Sequence, residues 1–157
     1  EEYAKDVMCD PGKLEKPYYY VNVVSKHNPN CAPEGCEALL FVCPVPNLIF
    51  KPDWSDKQVI IDSIISDFAG RINQDITKNI VMLEAYTPAD WEKRFNLYRG
   101  AGLGLSHYML QIGGLRPKNY DEKFDNTFYV GASTIPGAGL PMAIISSKLV
   151  TERILKP

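Results

Sequence analysis

The chain has 157 residues, of which 45% are hydrophobic and 23% are charged, and its formal net charge is −2 at pH 7. This composition is that of one ordinary globular domain and argues against a collagen-like or disordered chain. Because the sequence has no excess of Lys and Arg and no basic cluster, we expect no nucleic-acid partner. A chain of this length buries about two-thirds of its unfolded surface, so we expect a core that needs no disulfide or metal.

Two strands are predicted in the first third of the chain. Residues 1–16 are charged and aperiodic, which indicates an irregular N-terminal segment. Residues 17–24 (PYYYVNVV) are aromatic and β-branched, which predicts a strand. Residues 27–35 are rich in Asn, Pro and Gly, which predicts a loop. Residues 38–45 (ALLFVCPV) are apolar on both alternations, which predicts a second strand that is covered on both faces.

Four cysteines, Cys9, Cys31, Cys36 and Cys43, lie in and around these elements. His27 and the last three could be drawn as a zinc quartet, but the sequence lacks the usual Cys-x2-Cys knuckle. Cys43 also belongs to the apolar, strand-like run. We therefore expect no metal site, and a Cys31–Cys36 disulfide is the better hypothesis if the protein meets an oxidant.

A helix, a strand and a second helix follow. Ser55 and Gln58 have the spacing of a capping box. The apolar stripe after them has helical spacing and indicates a core-packing face; it consists of Ile61, Ile64, Ile65, Phe68 and Ile72. Residues 79–86 (NIVMLEAY) predict a third strand. Thr87 and Pro88 then predict the start of a short helix, as an N-cap followed by proline.

The last third of the chain ends as strand, glycine-rich loop and helix. Residues 100–104 (GAGLG) indicate a close-packing segment, residues 108–114 a strand or irregular structure, and residues 116–119 a turn. Residues 127–130 predict a short strand that leads directly into the glycine-rich residues 131–141. Helical periodicity then covers residues 142–155, with Pro141 suited to the first turn.

The glycine-rich loop has two interpretations from composition. Unpaired N–H groups at a helix N-terminus favour a phosphate or an electron-rich ring carbonyl, and Gly131, Gly137 and Gly139 would let such a ligand approach the backbone. The loop is equally consistent with a tight turn that packs the last helix on a sheet. Both interpretations stay open at this point.

The established motifs of catalysis and nucleotide binding are absent from the sequence. G-x-G-x-x-G fails at each possible origin, because Leu105, His107 or Met142 stands where the last glycine is required. Ser106 and His107 are adjacent, with no third group to orient them, so a structural role is favoured for His107.

Several segments of the sequence, taken in their order along the chain, resemble one enzyme family. Residues 125–141 (DNTFYVGASTIPGAGLP) resemble its C-terminal signature. Residues 100–107 (GAGLGLSH) and 115–119 (LRPKN) resemble two further segments, and residues 17–25 with 41–47 resemble its paired strands. The family is that of the phytoene desaturases, FAD-dependent carotenoid desaturases that include the diapophytoene (dehydrosqualene) desaturases, and the resemblance covers about residues 17–155. One departure is Ile135, where the family usually has histidine.

This resemblance implies a cofactor, a substrate and a mechanism. Such enzymes bind FAD in a split domain, to which the chain returns with one last strand and helix, and pass hydride from a lipophilic polyene to the flavin. If these positions have the same roles as in the family, Gly131, Ala132 and Ser133 would approach the ribityl and pyrophosphate region of FAD. The cofactor's pyrimidine edge would face the other predicted residues, which are Gly139, Leu140, Pro141 and Met142. No acid or base is nominated, and Arg116 is expected to be structural.

The resemblance also implies a domain organisation. The expected fold is α+β, related to α/β. A mixed β-sheet with a covering helix would form the C-terminal part of a substrate-binding domain in residues 17–119. The terminal strand, loop and helix of a split, Rossmann-like FAD-binding domain would follow in residues 120–157. The N-terminal Rossmann segment of the same enzyme would be a required partner, so this chain alone is expected to be inactive and to bind FAD weakly.

Other readings of the same motifs stay open. A related FAD-dependent carotenoid isomerase or oxidase, or a retinol saturase-like enzyme, would have a similar closing motif. A non-catalytic module that binds a ligand or forms oligomers is a further alternative. An exposed apolar face would favour an incomplete enzyme and would also offer a surface for a homo-oligomer.

No apolar run in the sequence approaches the 18 or so residues that span a bilayer, and the start resembles no secretion signal. We therefore expect a cytoplasmic location with reduced thiols. Peripheral contact with the cytoplasmic membrane stays open, because it needs only a modest apolar face. The chain does not begin with Met, which indicates a segment of something longer, although processing would produce the same start.

Overall fold

Two aromatic and β-branched stretches pair as antiparallel strands in this computed structural model, which describes residues 18–155. Strand β1 (Tyr20–Val23) lies beside β2 (Leu39–Val42), with Tyr20 opposite Val42 and Val23 opposite Leu39. A short helix α1 (Val24–His27) and a 3-10 turn (Pro29–Cys31) belong to the connection between them. The two predicted strands are thus confirmed, although each is shorter than predicted.

The prediction that the second strand is covered on both faces is wrong. Side chains on both faces of β2 are exposed: Leu40 and Val42 on one face are each 51% accessible, and Leu39 on the other face is 39% accessible. Among the four residues of β2, Phe41 contacts other aromatic rings. Its ring centroid lies 5.7 Å from that of Tyr19 and 5.2 Å from that of Phe68. A two-stranded sheet has no further layer to bury the rest.

Helix α2 (Lys57–Ile72) carries Phe68 and confirms the predicted helix, but the predicted capping box does not form. The hydroxyl of Ser55 donates to Asp53 instead, and the amide of Gln58 donates to Asp62. The helix ends where Asn73 adopts a left-handed conformation with φ 52°. The predicted isoleucine stripe is half-buried rather than fully packed, and its last member, Ile72, is exposed.

The predicted third strand is absent, whereas the helix after it forms as expected. Residues 80–87 have no regular structure, and Val81 is 89% and Met82 76% exposed. A strand needs a neighbour to satisfy its N–H and C=O groups, and none pairs with this stretch within residues 18–155. Helix α3 (Pro88–Phe95) follows.

The N-terminus of α3 is closed by a reciprocal pair of hydrogen bonds. The backbone N–H of Thr87 donates to Asp90 Oδ2 at 2.8 Å, and the N–H of Asp90 donates back to Thr87 Oγ1 at 3.3 Å. The backbone N–H of Thr87, and after it the Thr87 hydroxyl, which also donates to Asp90 Oδ2, lower the pKa of Asp90. Thr87 therefore serves as the N-cap that the sequence predicted.

The chain divides into two compact units at the boundary between Asp90 and Trp91. The second unit contains three 3-10 turns, which are Tyr98–Gly100, Met109–Gln111 and Gly113–Leu115. The last two confirm the prediction of irregular structure at residues 108–114. A single bridge between Tyr120 and Phe128 stands where a short strand was predicted. The long helix α4 (Leu140–Leu155) confirms the predicted terminal helix. The functional division at residue 119 stays a prediction.

Few apolar side chains are buried in the described part of the chain. Val150, at 6% exposure, and the rings of Pro46 and Pro88 are buried there, and the other buried side chains are polar. The expected self-sufficient core is therefore absent within residues 18–155. None of the helices described there has the length and apolar character needed to cross a membrane.

A candidate cofactor-binding loop

The glycine-rich loop of the second unit has three glycines in backbone conformations that other residues rarely adopt. Gly131, Gly137 and Gly139 have φ values of 123°, 135° and 119°. A Cβ built on Gly131 would have no atom within 4 Å, and one on Gly139 would meet only Met142 Cγ, at 3.8 Å. These two positions are open to a ligand.

Gly137 has a different role, because the protein itself fills the space beside it. A Cβ there would lie 2.8 Å from His107 Nε2 and 3.6 Å from Arg116 Nε. The N–H of Ala138 also points to His107 Nε2, at 3.5 Å. Gly137 and His107 therefore serve the packing of the loop, which fits the structural role predicted for His107.

Arg116 holds the loop from inside. It is only 2% exposed, and its guanidinium donates hydrogen bonds to five backbone carbonyls. Three acceptors precede Arg116 in the chain and two belong to the glycine-rich loop; they are Leu105, Ser106, Gln111, Ala132 and Thr134. All five N–H donors of the side chain are thereby used. The structural role predicted for Arg116 is confirmed.

A second buried cluster fixes the loop against α4. The side-chain amide of Asn119 donates to the carbonyls of Tyr129 and Ile135 at 3.1 and 2.9 Å, and lies 3.0 Å from Ser146 Oγ. Ser146 is fully buried, and its Oγ accepts from the N–H of Gly131 at 3.2 Å. Thr134 completes the cluster, with Oγ1 3.2 Å from Ser146 Oγ.

Sequence reasoning did not assign a role to Asn119, Thr134 or Ser146. A signal was nevertheless present, because Ser146 lies four residues before Val150 on the same face of α4, and both are buried. A serine on the apolar face of a helix needs a polar partner there. Asn119 and Thr134 supply it.

Gly104 brings the segment at residues 100–107 against the loop. Its φ is 67°, and a Cβ there would lie 2.8 Å from Ser133 Oγ and 3.0 Å from the carbonyl carbon of Ala132. Only glycine allows this approach. The close-packing role predicted for residues 100–104 is confirmed at Gly104.

The predicted cofactor-binding residues lie together on this loop and the first turn of α4. Gly131, Ala132 and Met142 are half-buried, and the exposed members of the set are Ser133, Gly139, Leu140 and Pro141. N–H groups in the first turn of a helix have no intrahelical acceptor, and Pro141 has no N–H at all. Leu140 and Met142 therefore offer N–H donors beside Gly139. Ile135, the departure from the family pattern, directs its carbonyl to Asn119.

The three cysteines among residues 18–155 form no comparable site. Cys31 and Cys36 are exposed free thiols in this structure, and a disulfide between them under oxidising conditions stays a prediction. Burial raises the pKa of the Cys43 thiol. Within residues 18–155, no three His, Cys, Asp or Glu side chains come close enough to hold a metal ion. Cys9 lies outside the described residues.

Comparison with known proteins finds several carotenoid desaturases that are similar to this chain, although no protein-family model matches it. The chain is 41% identical over 146 residues to a zeta-carotene-forming phytoene desaturase of Myxococcus xanthus. It is 32% identical over 146 residues to the 4,4'-diapophytoene desaturase (4,4'-diaponeurosporene-forming) of Staphylococcus aureus, and 29% identical over 156 residues to a carotenoid 3,4-desaturase of Haloarcula japonica. The chain is a relative of the carotenoid desaturases.

Each alignment covers most of this chain but a much smaller share of the relative. The match to the Myxococcus carotenoid desaturase includes 90% of this chain but 28% of the relative, and the match to the Staphylococcus enzyme includes 89% and 29%. The chain thus spans somewhat more than a quarter of the length of these desaturases. The resemblance predicted from the sequence motifs is confirmed.

Proposed function

We propose that this chain is part of a flavin-dependent oxidoreductase that desaturates a carotenoid precursor, phytoene or diapophytoene, in carotenoid biosynthesis. Its similarity to desaturases over nine tenths of its length supports the reaction class. One observation of the structure carries the cofactor assignment. The loop before α4 is held from inside by buried polar side chains, and it leaves Gly131 and Gly139 open on its outer side.

The residues present fit FAD. Open glycines let a large, flat ligand approach the backbone, and free N–H groups suit its phosphate oxygens and ring carbonyls. Gly131, Ala132 and Ser133 would hold the ribityl and pyrophosphate region. The pyrimidine edge would lie against the start of α4, at Gly139, Leu140, Pro141 and Met142.

FAD supplies the hydride acceptor that no side chain can provide for an unactivated hydrocarbon. The chain's own contribution is to orient and to stabilise. The N-terminus of a helix of 16 residues such as α4 favours negative charge beside it. We assign no acid or base to this segment.

The proposed architecture is the α+β arrangement expected above, in which residues 17–119 contribute to a substrate-binding domain and residues 120–157 to a split, Rossmann-like FAD-binding domain. The unburied apolar side chains support it, because isolated monomers rarely expose large apolar patches. We propose that an N-terminal Rossmann segment of the same enzyme covers part of this surface. Contact with a lipophilic polyene, with the cytoplasmic membrane from the cytoplasmic side, or with a second copy would cover the rest.

A second candidate is a related FAD-dependent isomerase, oxidase or retinol saturase-like enzyme, since the same loop would serve the same cofactor. A non-catalytic module that binds a ligand or forms oligomers is a third. Incubation of the protein with FAD and either phytoene or diapophytoene separates the three. Extension of the conjugated chromophore, followed by absorption spectroscopy and chromatography, supports a desaturase. A change of geometry or addition of oxygen indicates one of the related enzymes, and no flavin binding at all favours the module.

The experiment uses the longest open reading frame that contains this sequence, because the relatives are more than three times as long as the matched segment. Gly131→Leu should block the proposed contact and weaken FAD binding by about tenfold or more. Gly113→Leu is the matched control, since Gly113 also has a positive φ and open space around it. Equal FAD affinity of the two variants would contradict the assignment. The 157-residue chain alone is expected to retain no stoichiometric FAD on purification.

A further inference from the structure

The guanidinium of Arg116 is a buried cation whose recorded hydrogen bonds all go to carbonyl oxygens. Two of these oxygens, on Ala132 and Thr134, belong to the proposed cofactor loop. The other three lie on residues 105–111, so one side chain ties the two segments together. A clamp of this kind fixes the direction of each peptide plane that it contacts.

The direction of one peptide plane matters most. In a trans peptide the C=O and the following N–H point in opposite directions. The carbonyl of Ala132 points inward to Arg116, so the N–H of Ser133 points away from the guanidinium. Ser133 is exposed, and its N–H has no acceptor among residues 18–155.

Three other N–H groups of the loop, those of Gly131, Thr134 and Ile135, are already used within the protein. The N–H of Thr134 donates to the carbonyl of Gly131 at 3.1 Å, and that of Ile135 donates to the carbonyl of Pro117 at 3.1 Å. The N–H of Gly131 donates to Ser146. Ser133 is therefore the position in residues 133–135 where the loop presents an unused N–H donor on its outer side.

We propose that Arg116 is a positioning residue that aims the N–H of Ser133 at the bound flavin cofactor. This inference rests on the proposed function of the loop. Arg116 itself is buried and does not touch the cofactor. It acts through the Ala132 carbonyl, and it requires the planar fork of a guanidinium, because an ammonium has three donors and cannot reach five carbonyls at once.

Variants of Arg116 in the full open reading frame test the proposal. Arg116→Lys keeps the charge and loses the fork, and Arg116→Met removes both. We expect FAD affinity to fall about tenfold or more in the lysine variant and further in the methionine variant, with a shifted visible spectrum of the flavin that remains bound. Thr87→Ala is the control, because it removes the cap of α3, and the recorded side-chain hydrogen bonds of Thr87 go to Asp90 and not to the loop. It should lower the melting temperature and leave FAD affinity and spectrum unchanged.

Hydrogen exchange of the unaltered protein gives a second test that does not depend on how the variants fold. FAD should slow exchange at the Ser133 amide and leave the Thr134 and Ile135 amides, which already donate within the protein, nearly unchanged. No protection at Ser133, or unchanged affinity and spectrum in Arg116→Lys, would overturn this inference while FAD binding itself upholds the proposed function. Failure of the unaltered protein to bind FAD would overturn both.

Discussion

The two units of this chain are held together in different ways. In residues 18–90 the ring contacts of Tyr19, Phe41 and Phe68 lie near the surface, and ion pairs such as Lys26–Glu37 are exposed. In residues 91–155 a buried polar network around Arg116, Asn119 and Ser146 fixes the backbone. Within the described residues, no buried side-chain polar atom lacks a partner.

Within residues 18–155 the chain satisfies its buried polar groups by itself, but it leaves many apolar side chains exposed. Polar groups find their partners within the second unit, so the glycine-rich loop has a defined shape without help from elsewhere. Many apolar side chains of both units, such as Val81 in the first and Met109 in the second, remain accessible to solvent. The site is therefore better defined than the surfaces around it.

The largest expected effect is a difference in the free energy of unfolding between variants of two arginines, Arg116 and Arg71. Arg116→Met leaves five carbonyls of the second unit without their donor, and should lower its free energy of unfolding by about 3 kcal/mol or more. Arg71→Met is the control, because Arg71 is an exposed partner of Asp67 in the first unit. Exposed pairs contribute little, so we expect a minor change there.

Urea denaturation followed by tryptophan fluorescence measures this difference. The first unit contains Trp54 and the second contains Trp91. Trp54→Phe and Trp91→Phe backgrounds therefore report each unit separately. Similar losses for the two arginine variants would show that the polar network is not what stabilises the second unit.

The next largest effect is expected at Gly137. Gly137→Ala places a methyl group 2.8 Å from His107 Nε2 at a φ of 135°, and should destabilise the second unit by more than about 1 kcal/mol. Gly70→Ala in α2 has open space and should stabilise the first unit by up to about 1 kcal/mol. Thermal unfolding checks both signs. Combination with His107→Ala should recover only the part of the loss that is due to the close contact.

A smaller effect is expected at the N-cap of α3. Thr87→Ala removes the hydroxyl that accepts from the N–H of Asp90, and should cost about 1 kcal/mol of stability. Thr87→Ser keeps the acceptor and should cost much less. Chemical denaturation of both variants checks this, and equal losses would mean that the methyl group of Thr87 matters rather than the cap.

The smallest expected effect is a pH dependence in the first unit. Arg71 and Tyr19 hold the pKa of Asp67 below its usual value, and burial and the bond to Asp67 raise the pKa of Tyr19. A lowered carboxyl pKa adds stability above its ordinary value near 3.9, and that stability is lost as pH falls through the folded value. A raised phenol pKa adds stability below its ordinary value near 10, lost as pH rises through the folded value.

Tyr19→Phe tests this pH dependence, since it removes the hydroxyl that lies 2.5 Å from Asp67 Oδ2 and keeps the ring. The difference in free energy of unfolding between the unaltered chain and this variant should be greatest between about pH 5 and 9 and shrink toward both ends. A difference that stays constant from pH 2 to 11 would mean that the hydroxyl acts without Asp67.

Local signals in the sequence predicted the elements that depend on local interactions. Thr87 followed by Pro88 marked the start of α3, and Pro141 marked the first turn of α4. Residues 79–86 show the limit of such signals: their pattern is that of a strand, but a strand forms only where another one supplies its hydrogen bonds. The capping box at Ser55 failed because the nearby carboxylate of Asp53 accepts its hydroxyl.

The candidate site likewise has features that the sequence could predict and features that depend on contacts between distant residues. The glycines at 131 and 139 could be found from the motif, because glycine adopts a positive φ without steric cost. The sequence could not show that Gly137 packs on His107 whereas Gly131 and Gly139 are open to a ligand. That packing depends on a residue 30 positions earlier in the chain. The five bonds of Arg116 likewise need the folded loop.

The uncovered stretch at residues 80–86 has a consequence for solubility. Five of its seven side chains are large, apolar or aromatic and exposed: Ile80, Val81, Met82, Leu83 and Tyr86. Its backbone forms no ladder within the described residues, so it can act as a template for the strand of another molecule. Short apolar segments with high β-propensity and little charge are those from which aggregates grow. Synthesis and handling of this chain therefore depend on how quickly that stretch is covered.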